Sequence, residues 1–397
     1  MLLSARKLKS TILKDRFNSL VLERGRGREL YLVGGYIRDA LRGVISKDRD
    51  YIVSNDLENF VNEVKKITGG TMVELKKGQL LRLGLKERIT LDFSRPLGML
   101  KEDLSKRDFT INAMAWSREK GIIDPYKGLE DLRKKRIRII RKENLISDPL
   151  RILRAYRFAA ELDGSIERKT RDSIKILNNR IKRSAPERIT SELFNLLNSE
   201  HPAKYLKMAL SDGVLENILS FPIKALGENI KEICEVEKAI SSKFPGKFKA
   251  LLDKIFSQNL TYRGLLFLEI LMKNGIERPN GARRIRMSNA IRKRLELAHR
   301  GIRKFETKGD LFNVFLLSRE ASVDVLIIKK RLEFLRDYER FKKIWKKGLL
   351  SAEEIIDITK IRKGPDIGKA LIALRRAEFE GQIRNKKEAE KFIINLT

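Results

Sequence analysis

Cysteine, histidine and acidic charge are all scarce in this chain of 397 residues, and each shortage removes a class of function. Cys234 is the only cysteine, so neither an intramolecular disulfide nor a cysteine-based zinc site can form. His201 and His299 are the only histidines, which excludes a histidine-rich metal hydrolase. Metal chemistry would have to run on carboxylate oxygens, and those suit a hard ion such as Mg²⁺. No apolar run approaches the roughly eighteen residues that a membrane-spanning helix needs. The opening Met1-Leu2-Leu3-Ser4-Ala5-Arg6-Lys7 lacks the long apolar core of a signal peptide, so a cytoplasmic protein with no membrane partner is expected. No Gly-x-x-x-x-Gly-Lys-[Ser/Thr] occurs, so a P-loop is not the phosphate-binding device.

What is present is basic charge: 86 Lys+Arg against 53 Asp+Glu leave +33. Such an excess repels itself unless a polyanion is a regular partner, which favours nucleic acid. The hydrophobic fraction of 42% is enough to build cores. Between about 30 and 125, short apolar runs at Leu30-Val33, Tyr51-Val53, Met72-Leu75, Leu80-Leu85 and Ile89-Phe93 alternate with helical stretches at 36–43 and 56–68. Residues 8–24 read as one opening helix. From about 129 onward nearly everything has helical period, punctuated at Asp163-Gly164, Ser184-Ala185-Pro186, Phe244-Pro245-Gly246 and Lys363-Gly364-Pro365. The fold class is therefore α+β, a mixed-sheet head followed by an all-helical remainder. Cations cluster in that remainder at Arg278, Arg283, Arg284, Arg286, Arg292, Lys293, Arg294, Arg300 and Arg303, and again from Lys329 to Lys347. Together they suit a phosphate-tracking surface.

Two stretches carry chemistry. Leu32-Val33-Gly34-Gly35-Tyr36-Ile37-Arg38-Asp39 places a glycine pair after a strand and before a helix, where bare backbone can approach phosphates. Arg38, one turn in, reaches either a phosphate or a neighbouring acid. In Lys47-Asp48-Arg49-Asp50-Tyr51, residues i and i+2 of a strand share a face, so Asp48 and Asp50 converge on one spot suited to Mg²⁺ and a nucleoside triphosphate.

These motifs, in order with Lys106-Arg107-Asp108-Phe109-Thr110-Ile111-Asn112-Ala113, Asp124-Pro125…Gly128…Asp131-Leu132 and Asp148-Pro149-Leu150-Arg151-Ile152-Leu153-Arg154-Ala155-Tyr156-Arg157-Phe158, resemble the nucleotidyltransferase domain of class II tRNA CCA-adding enzymes and bacterial poly(A) polymerases. A weaker likeness runs through Ala185-Pro186-Glu187-Arg188 to Gly368…Glu380-Gly381. The resemblance implies a catalytic head (1–138), a nucleotide-selecting neck (139–200), a helical body (201–305) and a tRNA-binding tail (306–397). It implies tRNA as partner, CTP with or without ATP as substrate, and two Mg²⁺ ions at Asp48 and Asp50. Asp92 is the candidate third carboxylate, with a plain surface acid as the alternative. Gly34, Gly35, Arg38, Arg107, Asp108, Asn112, Asp148, Arg151, Arg154 and Arg157 are the implied nucleotide-binding residues.

Asp148 followed by Pro149 is also a well-formed helix start, and Arg151, Arg154 and Arg157 recur on one helical face. A carboxylate accepts from the exocyclic amino group of cytosine or adenine, and a guanidinium donates to their ring-side acceptors. Uracil presents O4 to the carboxylate and guanine presents N1–H to the arginine, so an Asp/Arg pair selects C and A. There are three departures from the family. Ser147 stands where Glu usually precedes this Asp, and Lys106 replaces the first Arg of an Arg-Arg-Asp motif. Only fifteen positions separate Asp92 from Arg107, where relatives that add the terminal A carry a longer flexible loop. Addition of two C residues is thus expected, with a separate enzyme supplying the A. The alternatives are full CCA addition, poly(A) synthesis on the same fold, and an RNA-binding adaptor with an inactive head.

Overall fold

The computed structural model describes residues 2–243, 246–273, 284–307, 310–360 and 364–396. It divides into two compact units, residues 1–223 with 283–285, and residues 224–282 with 286–397. Phe244, Pro245, Arg278, Arg283 and Lys363, named above, lie outside the described residues.

The first unit opens with α1 (Ala5–Lys14) and α2 (Arg16–Arg24) rather than one continuous helix. Asp15 breaks it: its backbone is extended, and its carboxylate accepts from the N–H groups of Phe17 and Asn18, capping α2. The same carboxylate holds Arg49 at 3.1 and 2.5 Å.

A seven-stranded sheet follows, ordered β3-β4-β5-β2-β1-β6-β7. Its strands are β1 (Leu30–Val33), β2 (Asp48–Val53), β3 (Thr71–Lys76), β4 (Leu80–Gly84), β5 (Thr90–Ser94), β6 (Ala115–Ser117) and β7 (Gly121–Ile123). Only β2 and β5 run parallel. Helix α3 (Gly35–Leu41) follows β1, and α4 (Leu57–Thr68) links β2 to β3. Alternation along β2, β4 and β5 sends Tyr51, Leu81, Leu83, Leu91 and Phe93 to one face, all buried. There Phe93 stacks on Tyr51 at 5.1 Å and meets Phe60 of α4 edge-on. The opposite face carries Asp48, Asp50, Thr90, Asp92 and Arg82, so covering one face with α4 is what leaves the polar face to line a site.

Next come α5 (Leu100–Ser105), α6 (Gly128–Arg133), β8 (Arg136–Ile137), α7 (Glu143–Ser147), α8 (Arg151–Leu162), β9 (Ser165–Ile166), α9 (Arg168–Leu177), α10 (Pro186–Leu197) and α11 (Pro202–Ser211). The largely helical remainder beyond 129 is interrupted by short strands. Strands β8 and β9 pair in parallel over two residues, too short a run for any periodicity to register.

The second unit contains α12 (Ile223–Lys243), α13 (Gly246–Leu252), a hairpin of β10 (Ile255–Ser257) and β11 (Leu260–Thr261), then α14 (Tyr262–Leu271), α15 (Asn289–Glu306), α16 (Leu311–Ser318), α17 (Ser322–Ile328), α18 (Leu335–Lys346), α19 (Ala352–Thr359), α20 (Pro365–Glu380) and α21 (Lys386–Leu396). Phe312, Phe315, Phe341 and Phe379 form an aromatic cluster joining α16, α18 and α20, and Leu350, Ile355, Leu374 and Ile393 close a core with α19 and α21. Of the expected cationic clusters, Arg294 is spent internally on Asp324 at 2.6 Å. Arg292, Arg300, Arg336, Lys343, Lys346 and Lys347 are exposed. No helix among the described residues is long and apolar enough to cross a membrane.

Candidate active site

A cavity of about 620 Å³ opens over the polar face of the sheet and runs to α8. Gly35, Arg38, Asp48, Asp50, Asp92, Arg107, Asp108, Asn112, Asp148, Arg151, Arg154 and Arg157 all line it. Pairing register builds the acidic end. Asp48 lies opposite Thr90 and Asp50 opposite Asp92 in the parallel β2–β5 pair. The Thr90 hydroxyl donates to Asp48 Oδ1 at 2.5 Å. The cation nearest Asp50 among the described residues is Arg107, whose Nη1 stands 3.9 Å away. Burial pushes the Asp50 carboxyl above its usual range; Arg107 opposes this, and Asp92 and Asp48 add to it. A pair of acids so short of positive charge fits a hard divalent cation. Asp92 is different, because Arg82 of β4 forks onto both its oxygens at 2.7 and 2.6 Å. No group of three or more His, Cys, Asp or Glu side chains among the described residues is already arranged as a metal cage.

Gly34 has φ +78° and ψ −138°, a conformation open essentially to glycine alone. A Cβ there would stand 2.5 Å from Arg107 Nη1 and 3.1 Å from Asp50 Oδ2. Its N–H is not free for phosphate as expected, because it donates to the Met114 carbonyl at 3.1 Å. Gly35 begins α3, where the first N–H groups lack intrahelical acceptors.

The basic end is a closed electrostatic circuit. Arg38 donates twice to Asp39, at 2.9 Å each, and to Asn112 Oδ1 at 2.6 Å. Asn112 donates to Asp108 at 2.9 Å. Asp108 accepts from Arg154 at 2.9 and 2.6 Å, and Arg154 in turn meets Glu192 of α10 at 3.0 Å. Arg157 reaches Glu192 at 2.7 Å and Glu161 at 3.4 Å. Phe158 lies under three of these guanidiniums, at 4.7, 5.1 and 3.7 Å from Arg38, Arg154 and Arg157. Burial would raise the Asp108 carboxyl, but Arg154 and the bonds from Asn112 and the Phe109 N–H outweigh it and hold the group at about 2. Burial lowers the Arg151 and Arg157 guanidiniums instead.

Helix α8 starts at Arg151, two residues later than an Asp148 cap with Pro149 as first residue would place it. Asp148 is extended and accepts from the Leu150 N–H at 3.4 Å, a loose first turn that keeps its cap character. Its carboxylate is held by Arg188 at 3.3 and 2.9 Å. Arg151 donates to the Asn144 carbonyl at 3.1 Å, and the Asn144 amide donates to the carbonyls of Ser105 and Arg107 at 2.8 and 2.7 Å. Sequence reasoning missed Arg82, Thr90, Asn144, Arg188 and Glu192 as members of this site. Only Arg188 had a signal, in the weak Ala-Pro-Glu-Arg likeness.

Comparison with known proteins follows the same lines. The model of the poly(A) polymerase head domain matches residues 30–138, and that of the probable RNA- and SrmB-binding site of polymerase A matches 165–226. The CC-adding tRNA nucleotidyltransferase of Thermus thermophilus is 30% identical over 92% of this chain and 93% of its own. The chain belongs to the tRNA nucleotidyltransferase family. Its likeness to the CC-adding enzyme of Geobacter sulfurreducens, also 30% identical, covers 94% of this chain and 93% of that one. The Thermotoga maritima CCA-adding enzyme complexed with tRNA-CCA shares the fold, with a TM-score of 0.77 at 21% identity over 100% of this chain and 99% of that one. As a tRNA nucleotidyltransferase the protein is an enzyme of a family that uses divalent metal.

Proposed function

We propose that this nucleotidyltransferase adds two C residues to the 3′ end of tRNA from CTP, without a template, and stops. The observation that carries the stop is the span between β5 and α5. Only residues 95–99 lie between them, and Glu102 ties that span down by accepting from the Met99 N–H at 3.1 Å. No length of chain is left there to form a loop that could remodel the pocket for adenine. Three curated relatives that match 90% or more of the chain are named CC-adding. In sequence, the likeness to the CCA-adding enzyme of Streptococcus pyogenes, at 36% identity, covers 44% of the chain, although the CCA-adding fold of Thermotoga maritima is shared along the whole of it.

In this reading the primer 3′-oxygen attacks the α-phosphorus of CTP, a new O–P bond forms, and the bond to the β-phosphate breaks to release pyrophosphate. Asp48 and Asp50, with Asp92, would hold two Mg²⁺ ions, which supply charge neutralisation and a more acidic 3′-hydroxyl when bound. Arg107 and the Gly35 backbone face the triphosphate. A second cavity of about 440 Å³ shares Asp50, Asp92, Arg107 and Arg151 with the first and suits the primer terminus. Two cavities that share these carboxylates leave room for a primer 3′-oxygen on one side of the α-phosphorus and the pyrophosphate on the other. Asp148 accepts from cytosine N4, since Arg188 occupies only part of its four lone-pair sites, and Arg151 donates to the ring-side acceptors. Arg38, Asp108, Asn112, Arg154 and Arg157 act through the buried circuit, which fixes α8 against the head. The head would carry catalysis, the neck nucleotide choice, and the body and tail tRNA binding.

The test uses the full chain, Mg²⁺, and tRNA transcripts ending at the discriminator base, C74 or C75, with each NTP supplied singly. CTP alone should extend the first two substrates to C75. Efficient conversion of the C75 transcript by ATP would replace this reading with full CCA addition.

A further inference from the structure

Among the described residues, Asp92 is the carboxylate of the acidic row that a guanidinium grips by hydrogen bonds, while Arg107 stands 3.9 Å from Asp50. Arg82 and Asp92 are directly opposite in the antiparallel β4–β5 pair, and Asp92 and Asp50 in the parallel β5–β2 pair. One row therefore crosses three strands as Arg82, Asp92, Asp50, with all three side chains lining the cavity. The Arg82 side chain is 43% exposed, while that of Asp92 is 17% exposed. Its only hydrogen bonds among the described residues are the two to Asp92. It is thus a cation at the rim, on a long side chain, holding an acid that lies deeper.

Two arrivals compete for this pair. A divalent cation competes for Asp92, and two oxygens of a triphosphate can accept bidentately from Arg82 as the carboxylate does. We propose that Arg82 is a latch worked by the nucleotide. Without nucleotide it neutralises Asp92 and keeps it from a cation. The incoming triphosphate draws the guanidinium away and releases Asp92 toward the edge formed by Asp48 and Asp50. The exchange keeps the number of ion pairs constant, since an Arg–phosphate pair replaces the Arg–carboxylate pair. The arginine is half exposed, and the phosphate it moves to is an equally good forked partner, so the swap trades one bidentate pair for another. The latch rests on the nucleotidyl-transfer reading above and adds an order to it: Asp92 takes a cation only after nucleotide has arrived.

Mn²⁺ is the probe, with free Mn²⁺ read by electron paramagnetic resonance in nucleotide-free full-length protein. Arg82→Ala should bind Mn²⁺ roughly two- to fivefold tighter than wild type, the range expected for releasing a half-exposed ion pair. Adding Asp92→Asn to Arg82→Ala should abolish that gain. In steady-state addition, Arg82→Ala should raise the KM for CTP, and Arg82→Lys should recover part of it by restoring the charge without the fork. Thermal melts of the variants separate these effects from misfolding. Unchanged or weaker Mn²⁺ binding in a folded Arg82→Ala overturns the latch, as does an unchanged KM. A wild-type protein that adds no nucleotide to tRNA would instead overturn the underlying reading.

Discussion

Gly34→Ala is the sharpest single perturbation of the site, because its cost divides into two parts that can be measured separately. The first is conformational. At φ +78° and ψ −138° an L side chain is strained, by about 1–3 kcal/mol. For a compact unit of this size that corresponds to roughly 2–12 °C in the first thermal transition. The second is local. The new Cβ would lie 2.5 Å from Arg107 Nη1 and 3.1 Å from Asp50 Oδ2, so the arginine must give way. Removing one charge-assisted hydrogen bond to the triphosphate costs about 1.5–3 kcal/mol, a drop of about tenfold to a hundredfold in kcat/KM for CTP. Arg107→Ala should show that kinetic loss without the thermal one, and the double variant should be no slower than the slower single one, since both act through one guanidinium. Gly35→Ala is the control. Its Cβ would meet Arg38 at an ordinary 3.7 Å, so the melting temperature should hold while the KM for CTP rises if the triphosphate rests on this backbone. A Gly34→Ala protein with wild-type melting and wild-type kcat/KM would refute both the backbone geometry and the placement of Arg107.

Asp48→Asn and Asp50→Asn should each abolish nucleotide addition while tRNA affinity, measured by filter binding, stays nearly intact; near-wild-type turnover with Mg²⁺ in either would remove the metal assignment. Asp148→Ala should narrow the CTP-over-UTP ratio in single-nucleotide incorporation, and Arg151→Ala should cost CTP use by about 1–3 kcal/mol. Unchanged selectivity in both would move base reading elsewhere. The Asp108 carboxyl is held at about 2, below its ordinary 3.8, so its contribution of about 2 kcal/mol is complete above pH 4 and is lost as pH falls toward 2. Asp108→Asn should lower stability to urea at pH 7 and flatten that acid limb, and an identical pH profile would contradict the buried Arg154 pairing. The affinity for tRNA should fall steeply with salt, and Lys343→Ala, Lys346→Ala and Lys347→Ala together should reduce the log–log slope by about 0.7–0.9 for each phosphate no longer neutralised; an unchanged slope would take α18 out of the interface.

Much of the site was legible because it is written in short-range geometry. Residues two apart on a strand share a face wherever the strand lies, so Asp48 and Asp50 had to converge while Arg49 turned away, and in the structure Arg49 is buried against Asp15. A glycine pair between strand and helix likewise marked a special backbone, though the Gly34 N–H is spent on the Met114 carbonyl and not left for phosphate. Illegible was the state of each charge, because that depends on register and on distant helices. Arg154 and Arg157 share a helical face with Arg151, yet Asp108 and Glu192, 46 and 38 residues from Arg154, already engage the first of them. Arg82 reaches Asp92 only because the β4–β5 register sets them opposite. The break at Asp15 was hidden because both halves keep helical period, and only the cap chemistry divides them. Ser147, where the family resemblance leads one to expect Glu, does not leave Asp148 without an orienting group. Asp148 keeps an orienting partner, supplied by Arg188 from α10 and not by the preceding residue. Asn144 joins the backbone carbonyls of Ser105 and Arg107 to Arg151, so the proposed base-reading and phosphate-facing groups share one frame. On the proposed reading, a pocket braced in that way, beside a five-residue link with no slack, would hold cytosine and reject the larger adenine, which is the physical reason to expect that no terminal A is added.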